Sequence, residues 1–147
     1  MKRREMGAAL IAMRSVKVQR LENKELRSQF IRVHLKLLEE QKKYDAELED
    51  RRIVFLAAWG EEQSAVIRLE GMMNAEPDLV KKRDIATEIE THRDYLDAVK
   101  EFNETTDEMG REEMVVESFD MAEFISDYEK QGYDPAVIEG LFPLFAE

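Results

Sequence analysis

Apolar residues recur along the first half of the chain at alternating steps of four and three. This spacing is typical of a coiled-coil seam, and the intervening side chains are mostly charged. It predicts one helix from about residue 20 to residue 72, about 80 Å long at 1.5 Å per residue. Glycine weakens the interior of a helix, so Gly60 is the one position where a kink or a break could interrupt this helix. The stripe comprises Leu26, Phe30, Val33, Leu37, Tyr44, Leu48 and Phe55, and it resumes after Trp59 with Val66, Leu69 and Met73.

A turn and a second amphipathic helix follow. Asn74 suits a helix C-terminus and Pro77 suits the first turn of the next helix, which places the turn near 74–78. The same spacing of apolar residues then predicts a second arm from about Asp78 to Glu108. Because two amphipathic helices joined by a short connection pack as antiparallel neighbours, residues 20–109 are predicted to form a helical hairpin.

The two predicted arms differ in length. The second arm, about 46 Å at the helical rise, covers the first arm only back to about residue 42. The stripe from Leu26 to Leu37 therefore needs another cover. The C-terminal segment, a second copy of the chain and a foreign partner are the three candidates.

The C-terminal segment, 111–147, is acidic and amphipathic. A turn at 132–135 is predicted to precede a last short helix, with Asp134 as its N-cap and Pro135 in its first turn. Two interpretations remain open. The segment folds back over residues 1–43, which we favour because aromatic residues more often complete their own core, or it docks into a partner. The docking anchors would be Phe119, Phe124, Ile125, Leu141, Phe142 and Phe145.

Composition supports an all-α fold and limits the chemistry. Charged residues make up 37% of the chain, against about 25% in average domains, and only 6 Gly and 3 Pro are present. The chain has no Cys, which excludes disulfides and thiolate metal sites. No run of about 18 apolar residues exists, so a membrane span is not expected and a cytoplasmic location is the default. The predicted fold class is all-α, a long antiparallel coiled-coil-like hairpin with a short C-terminal helical segment.

Charge is distributed unevenly along the sequence. Residues 1–43 carry 12 Lys/Arg and 5 Asp/Glu, whereas residues 101–147 carry 2 and 14. A helix through the basic N-terminal segment, 1–19, and its continuation would align basic side chains in one ridge able to follow a phosphate backbone. Nucleic-acid binding is therefore an alternative function, although the acidic remainder of the chain opposes it. The ridge residues are Arg14, Lys17, Arg20, Lys24 and Arg27.

Candidate catalytic and metal-binding residues are few. Neither His34 nor His92 has the spacing of a zinc helix or of a di-metal bundle. The carboxylates of Glu117 and Asp120, and those of Asp94 and Asp97, have the spacing found in magnesium-dependent all-α hydrolases, a second alternative. With 33 acidic residues in the chain, such spacings arise by chance. No catalytic residue, metal site or cofactor is therefore predicted.

These observations favour a protein that is not an enzyme. The expected function is that of an assembly factor, chaperone, adaptor or structural subunit that acts through protein–protein contacts. Its partner would be a helical protein or a second copy of the chain, bound through the exposed stripe of the first arm. The residues predicted to carry this contact are Leu26, Phe30, Val33 and Leu37.

Overall fold

A computed structural model describes all residues from 1 to 147 and contains helices and no strands, so the predicted all-α class is confirmed. Helical residues make up 81% of the chain. Four short 3-10 turns accompany the α-helices, at Arg3–Glu5, Val18–Arg20, Glu129–Gln131 and Phe142–Leu144. The six α-helices are α1 (Met6–Arg14), α2 (Lys24–Ala75), α3 (Leu79–Glu90), α4 (Arg93–Arg111), α5 (Met121–Tyr128) and α6 (Pro135–Leu141).

The long helix α2 is continuous through Gly60 and contains 52 residues. Its start is fixed by Asn23, whose side-chain oxygen accepts hydrogen bonds from the backbone N–H groups of Glu25 and Leu26, both at 3.1 Å. Asn is a favoured N-cap because its side chain satisfies N–H groups that have no partner within the helix. The helix therefore begins a few residues later than the periodicity predicts.

The second arm is two helices, so the prediction of one helix from Asp78 to Glu108 was wrong at residues 91–92. The N–H of Thr91 bonds to the carbonyl of Glu88 and that of His92 to the carbonyl of Ile89, both with the tighter three-residue spacing. The Thr91 hydroxyl also donates to the Glu88 carbonyl. Threonine hydroxyls compete with the helical ladder in this way, and α3 ends before α4 begins at Arg93.

The chain divides into two compact units. The terminal unit consists of residues 1–46 and 108–147, and the central unit consists of residues 47–107. Helix α2 contributes its first half to the terminal unit and its second half to the central unit. The structure contains no helix with both the length and the hydropathy that a membrane span requires.

The N-terminal basic residues do not lie on one helix, so the predicted single ridge was wrong. Helix α1 ends at Arg14, a 3-10 turn occupies Val18–Arg20, and α2 begins at Lys24. Helix α1 belongs to the core of the terminal unit, since its residues Met6, Ala9, Leu10, Ala12 and Met13 are buried. It packs against α6, where a Cβ added at Gly140 would lie 2.7 Å from the Cβ of Ala12. An apolar surface on α1 therefore sets the path of this segment more strongly than its charges do.

Candidate interaction surfaces

The C-terminal segment covers the first half of the α2 stripe. Leu26, Phe30, Val33 and Leu37 are all buried, and Phe30 has no exposed surface. The Phe30 ring stacks on the rings of Phe119, at a centroid distance of 5.9 Å, and Phe124, at 6.2 Å. Offset aromatic pairs at this separation stabilise a core beyond the area that they bury. The chain thus supplies its own cover for the stripe that was predicted to bind a partner.

The predicted docking anchors of the C-terminal segment mostly lie in the same core. Phe119, Phe124 and Leu141 are fully buried, Ile125 and Phe145 are half-buried, and only Phe142 is exposed. Backbone hydrogen bonds fix their register, since the Phe119 N–H donates to the Leu144 carbonyl at 2.7 Å and the Ala146 N–H donates to the Phe119 carbonyl at 2.8 Å. Partner binding through these residues, or through the α2 stripe, would require this segment to be displaced, and it stays a prediction.

A buried carboxylate attaches the C-terminal segment to the start of α2. Asp127 of α5 is only 5% exposed, and its two oxygens accept hydrogen bonds from the backbone N–H groups of Glu22 and Asn23, both at 3.0 Å. A carboxylate at this position also interacts favourably with the positive end of the helix dipole. Lys130 adds an exposed ion pair with Glu22 at 2.7 Å. The sequence gives no periodic signal for this contact, because its partners are more than 100 residues apart.

Ion pairs join the basic N-terminal region to the acidic segment after α4. Arg32 binds both carboxylate oxygens of Glu117, at 3.0 and 3.1 Å. The side-chain hydrogen bond to Arg32 lowers the pKa of Glu117, and its counterpart raises the pKa of Arg32. Arg3 pairs with Glu112 at 3.1 Å, and the N-terminal ammonium group pairs with Glu113 at 3.2 Å. The charge asymmetry of the sequence is thus neutralised, in part, within the chain.

The residues predicted for nucleic-acid binding remain at the surface, but acidic groups lie among them. Arg14, Lys17, Arg20 and Lys24 are exposed, whereas Arg27 is half-buried and donates to the Leu21 carbonyl at 3.2 Å. Glu22 and Glu25 are exposed within the same stretch, and Glu123 is held nearby by Asn23 at 2.5 Å. This mixed surface lacks the single basic ridge from which the alternative was predicted.

Three of the histidine and carboxylate candidates, His34, Glu117 and Asp120, have contacts within the terminal unit. His34 packs edge-on against Phe30, and burial lowers its pKa, with a smaller contribution from the positive charge of Arg14. Asp120 is the N-cap of α5 and accepts from the Glu123 N–H at 2.8 Å, whereas Glu117 is paired with Arg32. No group of three or more His, Asp or Glu side chains gathers where it could hold a metal ion.

The central unit has few buried residues. Only Val66, Leu69 and Tyr95 are buried among residues 47–107. Aromatic rings join α2 to α4: the Phe55 ring lies 4.8 Å from that of Phe102 and 6.2 Å from that of Tyr95. Trp59 lies 6.2 Å from Tyr95. Along these contacts, a residue earlier in α2 meets a residue later in α4. Apolar side chains on both helices remain accessible to solvent.

An open groove runs beside these ring contacts and has a volume of about 480 Å³. Its apolar lining includes Val54, Phe55, Ala58, Trp59, Ala98 and Phe102. The Arg51 guanidinium lies over the Phe102 ring at 5.1 Å, and Asp50 and Glu101 contribute carboxylates to the lining. Val54 is 70% exposed. Periodicity alone does not reveal this surface, because Val54 and Ala58 lie outside the coiled-coil stripe. The uninterrupted apolar run 53–59 is the signal of it in the sequence.

Comparison of the chain with models of known protein families, with curated proteins and with solved structures finds no match in any of the three. The function is therefore inferred from the surfaces of the chain itself.

Proposed function

We propose that this chain is a non-enzymatic protein–protein interaction module that acts as an assembly factor, adaptor or structural subunit in the cytoplasm. In this proposal the second half of α2 and the α3–α4 arm form an antiparallel, coiled-coil-like hairpin. The hairpin receives a helical partner along the groove of the central unit. The terminal unit closes its own core with the C-terminal segment.

The observation that supports this proposal most directly is the aromatic groove in a unit with few buried residues. Exposed apolar surface that forms a continuous groove with a polar edge is typical of a protein-binding site. The partner's apolar side chains would replace water over Val54, Ala58 and Trp59, at about 25 cal/mol per Å² of apolar surface removed from water. Trp is also among the residues that most often dominate binding energy.

The shape and charge of the groove favour a helix as its occupant. Two helices form its walls, so a third helix would add a layer to a small bundle, with apolar residues at steps of three and four facing the groove. Asp50 and Glu101 both line the groove. Because opposite charges across an interface promote encounter and fix its register, we expect basic residues along the edges of the partner helix.

Site-specific photo-crosslinking in the cells that produce the protein tests the proposal. A photoreactive residue at Val54, in the groove, should give one discrete adduct with another protein. The same residue at Lys100, which is exposed on α4 and does not line the groove, is the matched control and should give none.

A second variant links the adduct to the groove. Ala58→Glu adds a negative charge to the apolar lining at an exposed helical position, so it should remove the adduct without lowering the helix content measured by circular dichroism. An adduct that forms equally at Val54 and Lys100, or that survives Ala58→Glu, would contradict a partner site in the groove.

A further inference from the structure

Helix α2 carries a second uncharged surface in the central unit, on the side away from the α4 contacts. At 100° per residue, this outer face lies roughly opposite Phe55 and Val66, which face the inside of the unit. Its isoleucines are among the most exposed apolar residues of the helix, at 54% for Ile53 and 59% for Ile67. The outer face consists of Ile53, Ala57, Gly60, Ser64, Ile67 and Gly71.

No part of the chain lies where a side chain at either glycine of the outer face would project. A Cβ added at Gly60 or at Gly71 would meet nothing within 4 Å, and both positions lie inside α2 with ordinary helical backbone. Glycine weakens a helix interior relative to alanine. Its benefit at such a position is the close approach of a second backbone, which no element of this chain provides.

We propose that the outer face binds the outer face of a second copy of this chain, with the two α2 helices antiparallel. A single two-fold register places each large residue opposite a small one. Ile53 then faces Gly71 of the second copy, and Ile67 faces Ala57 of the second copy. Gly60 faces Ser64 at the centre. Alternation of large and small residues across facing positions is what lets two helices interdigitate without voids.

The charges beside the outer face support the same register. In an antiparallel pair related by a two-fold axis, each flank of one helix meets the same flank of the other. Glu61 and Arg68 lie on one flank. Side chains lean toward the N-terminus of their own helix. The charged groups of Glu61 in one copy and Arg68 in the other therefore point toward each other. On the opposite flank, Arg52 of one copy and Glu70 of the second copy lie at nearly the same position along the helix axis. Each pair occurs twice by symmetry, as an isologous interface requires.

The pairing spans 19 residues of each helix, from Ile53 to Gly71, which is about 27 Å of contact at 1.5 Å per step. It leaves the aromatic groove free, because Val54 and Ala58 line the groove whereas Ile53 and Ala57 belong to the outer face. The inference therefore goes beyond the proposed partner site and stands or falls separately from it.

Solution mass of the full-length chain, measured by light scattering during gel filtration, tests the pairing. The wild-type chain should have twice the mass of one chain. Gly60→Leu should convert it to the mass of one chain without lowering the helix content measured by circular dichroism, because Leu is a better helix former than Gly and a Cβ at this position meets nothing in its own chain. Ala58→Leu, of similar size and in the groove, is the matched control and should remain a dimer.

Engineered cysteines test the register, since the natural chain has none. A chain carrying Ala57→Cys mixed with a chain carrying Ile67→Cys should give a mixed disulfide under mild oxidation. Each variant alone should give little, because the two identical positions lie about 15 Å apart along an antiparallel pair. Disulfides between two copies of the Ile67→Cys variant would overturn the antiparallel register.

The other possible results distinguish the pairing of two copies through the outer face from the partner site in the groove. A wild-type chain that stays monomeric at about 100 µM, or a Gly60→Leu chain that remains a dimer, would overturn the pairing through the outer face while leaving the groove unaffected. A dimer that obeys both tests, with no adduct from Val54, would support the pairing and contradict the partner site in the groove.

Discussion

Replacement of Phe30 by alanine tests whether the C-terminal segment is part of the core of the terminal unit. Phe30 is fully buried and its ring contacts those of Phe119 and Phe124. A buried Phe→Ala change typically destabilises by about 3–5 kcal/mol. The two stacked contacts place the expected loss of unfolding free energy near the middle of this range, about 4 kcal/mol, which is a large part of the stability of about 5–15 kcal/mol found in small domains.

Urea denaturation followed by far-ultraviolet circular dichroism measures this loss. With a dependence on urea of about 1–3 kcal/mol per molar, a loss of about 4 kcal/mol lowers the midpoint by more than about 1 M. Ile31→Ala is the matched control, because Ile31 is the next residue of the same helix and is 46% exposed. The urea midpoint of Ile31→Ala should fall by less than half as much as that of Phe30→Ala.

Amide hydrogen exchange shows where the stability is lost. The Phe119 and Ala146 N–H groups are hydrogen-bonded within the C-terminal segment, so Phe30→Ala should accelerate their exchange. A Phe30→Ala chain with the midpoint of the Ile31→Ala control, and with unchanged exchange at these amides, would refute the packing of the C-terminal segment on α2.

Three further changes probe the contacts of the terminal unit. Asp127→Ala leaves two backbone N–H groups at the start of α2 without their acceptor, so it should lower the unfolding free energy by about 1.5–3 kcal/mol in thermal denaturation. Gly140→Ala should destabilise by about 1–3 kcal/mol, because its Cβ would lie 2.7 Å from that of Ala12, whereas Gly7→Ala, with nothing within 4 Å, should not. Burial lowers the pKa of His34 from its usual value of 6.5, so the folded state favours the neutral ring. Its contribution is therefore present above pH 6.5 and is lost as the pH falls through the lowered pKa, and urea midpoints of His34→Gln should fall less steeply than wild type between pH 7.5 and 5.5.

Residue periodicity predicts α2 and its buried stripe because both depend on local properties. The spacing of Leu26, Phe30, Val33 and Leu37 identifies the buried face of the helix whatever covers it. The N-cap of α6 was equally predictable, since Asp134 accepts from the Ala136 N–H and Pro135 occupies the first turn.

Contacts between distant segments could not be predicted in the same way. Nothing in the sequence around Asp127 indicates that its carboxylate caps α2, because many of the 33 acidic residues have similar neighbours. The interruption between α3 and α4 was missed because the apolar spacing continues across it, while the competing hydrogen bond comes from the single hydroxyl of Thr91. The groove depends on how α2 meets α4, which periodicity does not specify.

Different segments pack against the two halves of α2. The half in the central unit has fewer buried residues and is the one proposed to bind a partner. Between Leu26 and Leu37 the C-terminal segment closes the stripe with aromatic rings, ion pairs and a buried carboxylate. After residue 46 the inner side of the helix contacts α4 through Phe55 and Trp59, and a Cβ added at Gly60 or Gly71 of the outer face would meet nothing. A partner at the first surface must displace a packed segment, whereas a partner at the second replaces only water. Under the proposed function, substitutions on the central unit should therefore alter association more than folding.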